Sequence, residues 1–380
     1  MNILMVLHTF IPESYGGAEK QTLKLAKALK KKNINVNIVS PRLNKNSLKS
    51  EIIDGIKIDR LALKSAPNLG GKYILSFMLW FIKLSFFIFK NRKRIDVIHI
   101  IHGRLHALPA VLIANLLSIA TVIKLGRSGY HFDLNSVKRK RIIGKIAFSL
   151  LIKFNTYWIS NSYKITNDLL NQGIKRTNII DIPNGVEIKK IKKESNEKVR
   201  FIYFGRLEHE KNCVELINAF ATQKNKNNFK FDIYGDGKDF KNINDSILNN
   251  KLENKIFLHK PVDNIEEILP EFDVYITATI SEGMSNSLLE AMSCGLVPIT
   301  TNVSGVKELI KHEGNGFIYQ INDKIKLIEL VECVINLGQK KLEQIGKNAQ
   351  SHVFKSFNID RIAQEHIKLY SEIKIDCAHV

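Results

Sequence analysis

The sequence predicts an α/β protein made of two doubly wound halves, each a parallel sheet covered on both faces. Three observations predict this. The chain has 380 residues, more than one typical core fills. Short apolar runs alternate with longer amphipathic stretches, the signature of strand–helix units. The alternation restarts near residue 199, after a polar, lysine-rich joint.

The elements follow in order. NILMVLH (2–8) reads as a buried strand, residues 18–33 as an amphipathic helix and NVNIVS (35–40) as the next strand. DVIHII (96–101), ATVIKL (120–125) and TYWISNS (156–162) repeat the theme, with helices between. The joint, residues 182–198, carries a turn at Asn184-Gly185. In the second half, 199–205, 229–235, 255–260, 273–278 and 296–301 read as strands and 211–223 as a helix. Doubly wound sheets present their ligand loops at the strands' carboxyl ends. Two facing edges are therefore expected to form a cleft.

Two stretches bear on membranes. YILSFMLWFIKLSFFIF (73–89) holds one charge, Lys83, and is followed by KNRKR. A span needs about 20 apolar residues. The run is short for that, and fits either a core helix or a helix with one face on a membrane surface. KRKRIIGKIAFSLLIKF (138–154) reads as an amphipathic helix with a basic start, which fits membrane contact or a plain surface helix.

Net charge is +20, unevenly spread. Residues 1–190 hold 32 Lys+Arg against 10 Asp+Glu, whereas residues 191–380 hold 25 against 27. A basic half attracts anions such as nucleic acid, phospholipid head groups or a phosphorylated substrate. Nucleic acid is disfavoured, because no stacking or groove motif accompanies the charge. The four cysteines lack metal-type spacing and read as thiols in a reducing compartment. The start of the chain lacks the features of a signal peptide.

Three loops carry the chemistry. In FGRLEHEKN (204–212), Gly205 lets the backbone turn, and Arg206 and Lys211 are two cations suited to a diphosphate. In SEGMSNSLLEAM (281–292), a helix starts between Ser285 and Ser287, and its free N–H groups suit a phosphate. Glu290 is crowded by apolar neighbours and needs partners. Either a ligand's paired hydroxyls supply them, or Ser287-x-x-Glu290 is a capping box. Glu282 is either a ligand contact or a solvated loop carboxylate. In HTFIPESYGGAEK (8–20), Gly16-Gly17 before a helix allows close approach to a phosphate or sugar.

These pieces, with PNGVE (183–187), YGDGKD (234–239), SEGMSNSLLEAMSCGLVP, VSGVKELI (303–310) and GNGF (314–317), resemble the family-4 retaining glycosyltransferases of the two-domain GT-B fold. The resemblance spans nearly the whole chain and is strongest over 199–317. It implies two Rossmann-like domains. Residues 1–185 would form an acceptor-side domain and 186–355 a donor domain, with 356–380 a helix packing back on the first. Arg206, Lys211 and Glu282 would carry catalysis. The donor would be bound by Gly17, Gly205, Arg206, Lys211, Val262, Glu282, Gly283, Met284, Ser285 and Glu290, with His259 and Lys260 near the base. Glu290 would hold the ribose hydroxyls and Glu282 the transferred sugar.

The resemblance further implies a hexosyltransferase that uses a nucleotide-diphosphate sugar, UDP-sugar favoured. It would need no metal or cofactor, in keeping with the lack of any Asp-x-Asp. The acceptor would be a lipid-linked or cell-surface glycan in polysaccharide biosynthesis. The protein would be cytoplasmic, on the inner face of an anionic membrane. One departure stands out. Many relatives carry a histidine just after the strand at 120–125, where this chain reads KLGRSGYHFD. His102, Arg127 and His131 are the candidate acceptor-side contacts. That departure also leaves open a catalytically degenerate nucleotide- or anionic-glycan-binding protein of the same fold.

Overall fold

The computed structural model describes residues 1–63, 65, 73–129, 132–155, 157–188, 198–223 and 228–378. The chain divides into two compact units, Met1–Gly185 with Ile359–Val380, and Val186–Asn358.

Unit 1 opens with β1 (Asn2–Val6), α1 (Gly17–Lys31), β2 (Asn35–Arg42), β3 (Ser50–Ile53), β4 (Ile56–Ala62) and α2 (Ile74–Asn91). It continues with β5 (Val97–Ile101), α3 (Leu108–Leu116), β6 (Ala120–Lys124), α4 (Asp133–Lys138), α5 (Arg141–Phe154), β7 (Tyr157–Ser160), α6 (Tyr163–Leu170) and β8 (Ile179–Asp181). The strands form one sheet in the order β3-β4-β2-β1-β5-β6-β7-β8, parallel except for the β3–β4 hairpin. That hairpin was not legible in the sequence, because its edge strand is short and half-exposed. The basic stretch 138–154 is not one helix: the chain turns at Arg139-Lys140 between α4 and α5.

Alternation along the strands builds two cores. Leu4 and Val6 point into the cluster under α2, α3, α5 and α6, while Ile3 and Met5 point to the opposite face. That second face is covered by α1 and by the C-terminal helix, Ile359–Ala378, through Ile362, Ala363, Leu369, Tyr370 and Ile373.

The α2 helix is apolar all round but buries one stripe. Phe77, Trp80, Leu84 and Ile88 are buried, and the Trp80 indole donates to the His106 carbonyl at 3.0 Å. Leu75, Met78, Ile82, Phe86 and Phe89 are exposed. Lys83 turns off that stripe and donates to the Ala62 carbonyl at 2.7 Å.

Unit 2 contains β9 (Val199–Phe204), α7 (Cys213–Ala221), β10 (Phe229–Tyr234), α8 (Phe240–Asn249), β11 (Ile256–His259), α9 (Ile265–Ile268) and β12 (Val274–Thr277). After these come α10 (Asn286–Ser293), β13 (Val297–Thr301), α11 (Val306–Leu309), β14 (Phe317–Tyr319), α12 (Lys324–Asn336) and α13 (Gln339–Ser356). Its parallel sheet runs β11-β10-β9-β12-β13-β14. Phe201, Phe229 and Phe231 pack against Phe220 of α7 on one face. Ile202, Phe204 and Tyr275 meet Leu288, Leu289 and Met292 of α10 on the other.

Candidate functional site

In unit 2 the winding reverses between β9 and β12, because β9 continues to β10 on one side and β12 to β13 on the other. Loops leaving two such strands diverge and open a crevice at their carboxyl ends. Here they are residues 205–212 and 278–285, which carry Arg206, Lys211 and Glu282.

Close packing fixes the first loop. Gly205 N donates to the Tyr234 carbonyl at 3.0 Å and Leu207 N to the Asp236 carbonyl at 2.9 Å. A Cβ on Gly235 would stand 2.2 Å from the Gly205 carbonyl oxygen, so the YGDG stretch can approach only as glycine. Arg206 is exposed, with Nη2 3.0 Å from Glu210 Oε1. Asn212 adopts φ +51° and turns the chain into α7 at Cys213. Lys211 therefore lies on the turn before the helix rather than inside a helix spanning 211–223. Its ammonium is paired with the Glu282 carboxylate, and both side chains are more buried than exposed.

The second loop is tied to the first. Ile280 N and Thr279 Oγ1 donate to the Glu210 carbonyl at 2.9 and 3.1 Å. Ser285 caps α10, its Oγ accepting from Leu288 N at 3.3 Å. Ser287 is already helical, so the alternative Ser287-x-x-Glu290 capping box does not form: that box needs its serine at the extended position before the helix. Glu290 lies a turn inside α10, 8% exposed, beside Leu289 and Met292. Gly283 and Met284 lead into the cap, and Met284 is buried.

Two tyrosines that the sequence did not single out complete the site. Tyr203 OH donates to the Arg206 carbonyl at 2.9 Å. Tyr275 lies against Ser285 and Ser287. Burial, then the nearby Glu282 carboxylate, pushes the Tyr275 phenol above its ordinary value. Burial does the same to Tyr203. Both stay neutral donors at working pH. In sequence they are simply aromatic residues in buried strands. Further along the sheet, His259 is committed to its neighbours, with Nε2 2.7 Å from Asp232 Oδ1 and its ring stacked on Tyr234. Lys260 Nζ is 3.3 Å from Asp236, and Val262 is exposed.

Unit 1 has its own switch point, between β1 and β5. Gly17 is the first residue of α1. The loop before it is anchored by Glu19, which accepts from Thr9 Oγ1 at 2.7 Å and Ser14 Oγ at 2.9 Å. His102, directly after β5, lies 3.0 Å from the buried Asp133, which also accepts from Arg104. Arg127 is half-buried and makes no hydrogen bond or ion pair with another described residue. His131 lies outside the described residues. Asp133 and Arg104 were missed in the sequence, because nothing in HGRLH or HFDLN links the aspartate to a histidine 31 positions earlier.

Fold and site together define a two-domain α/β enzyme of the glycosyltransferase class. The chain belongs to the group 1, family-4-like glycosyltransferases: the model for glycosyl transferases group 1 matches residues 186–352, and that for glycosyltransferase family 4 matches residues 15–190. A curated relative from Escherichia coli, the UDP-Gal:α-D-GlcNAc-diphosphoundecaprenol α-1,3-galactosyltransferase, is 26% identical over 311 residues, covering 75% of this chain and 78% of the relative. The N-acetyl-α-D-glucosaminyl L-malate synthase of Bacillus anthracis is 22% identical over 304 residues, covering 75% and 77%. Among solved structures, Anabaena HepE in complex with UDP superposes with a TM-score of 0.77 at 20% identity, covering 98% of this chain and 100% of that one. The shared architecture is the GT-B fold.

Proposed function

We propose that this glycosyltransferase moves a hexosyl unit from a UDP-sugar to a lipid-linked or cell-surface glycan acceptor in polysaccharide biosynthesis. It acts with retention and without a metal, at the cytoplasmic face of an anionic membrane. The observation that carries the reading is the meeting of Arg206, Lys211 and Glu282 with the Ser285-capped start of α10 at the unit 2 switch point. Relatives support the donor and the acceptor class: one is named for UDP-Gal and a diphosphoundecaprenol acceptor, and HepE was solved with UDP-glucose.

The chemistry follows from charge. Cleavage of the bond between the anomeric carbon and the β-phosphate oxygen leaves negative charge on UDP. Arg206, Lys211 and the helix start are fixed positive groups facing that charge. The acceptor oxygen bonds to the anomeric carbon, and its proton passes to the departing phosphate. Glu290, rigid in α10, holds the ribose hydroxyls, and Glu282 the transferred sugar. Val262 frames the base. For the membrane, the exposed stripe of α2 ends in the exposed Lys90, Arg92, Lys93 and Arg94, an apolar face with a basic end suited to anionic lipid.

The test is the melting temperature with UDP, GDP, ADP or CMP, in wild type and Glu290→Ala. At about 100 times Kd, binding adds about 2.7 kcal/mol to the native state, a rise of several degrees. The expected result is a rise with UDP that Glu290→Ala removes. A rise with another nucleotide in place of UDP reassigns the donor. No rise with any of them sinks the donor reading.

A further inference from the structure

His102 is unlike His99, His106 and His366 of unit 1, which are fully buried. His102 keeps 17% of its side chain exposed, at the carboxyl edge of the sheet beside the β1–β5 switch point. Its backbone is left-handed, φ +70°, a costly conformation that the surroundings must hold.

Those surroundings are specific. Nδ1 lies 3.0 Å from Oδ2 of Asp133, a carboxylate with no exposed surface. Asp133 also accepts from Arg104 Nε at 2.9 Å and from Gly126 N at 3.2 Å. Burial works to raise the Asp133 pKa, but His102, Arg104 and the Gly126 amide outweigh it and hold the carboxyl well below its ordinary value. An ionised carboxylate only accepts. In the neutral imidazole the proton therefore sits on Nδ1, facing that carboxylate, and Nε2 carries the lone pair. Nε2 makes no hydrogen bond with another described residue. Gly126 is part of the arrangement, because a Cβ there would lie 2.6 Å from His102 Cε1 and displace the ring. The ring thus fills the space beside the loop after β6.

We propose that His102 Nε2 accepts a hydrogen bond from a hydroxyl of the glycan acceptor and so orients its attacking oxygen, and that Asp133 is the positioning residue that fixes the ring and its tautomer. The proposal rests on the acceptor class given above. It moves no proton to the imidazole. The charged and titratable groups facing His102 are Asp133 from α4, Arg104 from its own loop, His106 beyond that loop and His8 from the end of β1.

Two measurements on the full chain test this. In 15N-histidine NMR, the signal lost in His102→Asn should show the Nδ1–H tautomer, and Asp133→Asn should disturb it; an Nε2–H tautomer in wild type overturns the proposal. The second is transfer from the UDP-sugar to a short-chain polyprenyl-diphosphate N-acetylglucosamine. His102→Ala should cut kcat/KM for this acceptor about tenfold, one hydrogen bond's worth, with His102→Gln recovering part through its amide oxygen. Asp133→Asn should lower kcat/KM for this acceptor and leave KM for the UDP-sugar unchanged, since it loosens the ring without touching the donor. The UDP-induced rise in melting temperature should persist in all three variants. An unchanged kcat/KM for this acceptor in His102→Ala, or a UDP rise lost in that variant, overturns the proposal. Absence of the rise in wild type instead sinks the donor reading, and the tautomer still decides the role of Asp133.

Discussion

Lys211 and Glu282 come from loops 71 positions apart and neutralise each other across the unit 2 switch point. Removing one strips the other, part-buried, charge of its counter-ion, so single deletions should cost more than the contact suggests. A lysine aimed at a leaving diphosphate acts mainly in the transition state. Lys211→Ala should therefore lower kcat by about a hundredfold to a thousandfold, the range for a lost electrostatic donor. The UDP-induced rise in melting temperature should shrink far less. A kcat within threefold of wild type would show that Lys211 faces something other than the developing charge. These residues were legible because each sits in a short motif at a strand end. Tyr203, Tyr275 and Asp133 were not: a phenol in a strand reads as core, and the Asp133–His102 contact joins loops that only the sheet brings together.

At the scale of elements, α2 shows what apolar periodicity cannot resolve. An all-apolar helix carries no mark of which stripe is inside. The structure assigns Trp80, Leu84 and Ile88 to the core and leaves Met78, Ile82 and Phe86 outside. The two faces should answer differently to mutation. Trp80→Ala removes a fully buried ring and an indole hydrogen bond, and should cost roughly 3–5 kcal/mol of stability in urea. Ile82→Asp with Phe86→Asp should leave the melting temperature within a degree or two and abolish flotation with anionic liposomes. Flotation unchanged in that double variant would remove α2 from the membrane reading. The α10 helix teaches the complementary lesson. Its existence was plain from SNSLLEAM, but two serines competed for the cap. Backbone geometry chose Ser285, which places Glu290 a turn inside the helix rather than at its capped end.

At the scale of the whole molecule, the two α/β halves were legible because the strand–helix alternation stops and restarts. The return of residues 359–378 to the first unit was not. Periodicity gives a helix but not its partner, and only the resemblance supplied one. That return creates a buried cluster with a consequence for pH. His366 of the C-terminal helix stacks on His99 of β5 at 5.6 Å, and His99 Nδ1 lies 2.6 Å from the Tyr370 hydroxyl. Burial, then the Lys124 charge, lowers the His366 pKa from 6.5 to about 3. Burial, then His366 and Lys124, holds His99 well below 6.5. In the unfolded chain both titrate near 6.5, so below that pH the unfolded state binds protons the native state refuses. Their contribution is fully present above about pH 6.5 and is lost as pH falls below it, His366 alone costing about 1.4 kcal/mol per pH unit down towards 3. Both tryptophans, Trp80 and Trp158, lie in unit 1, so tryptophan fluorescence reports the unfolding of that unit alone. Urea midpoints read this way should fall steadily from pH 7 to pH 5, and His366→Gln should flatten the fall. A midpoint constant over that range would mean that these rings are protonated in the native state and that the C-terminal helix is not seated on neutral imidazoles.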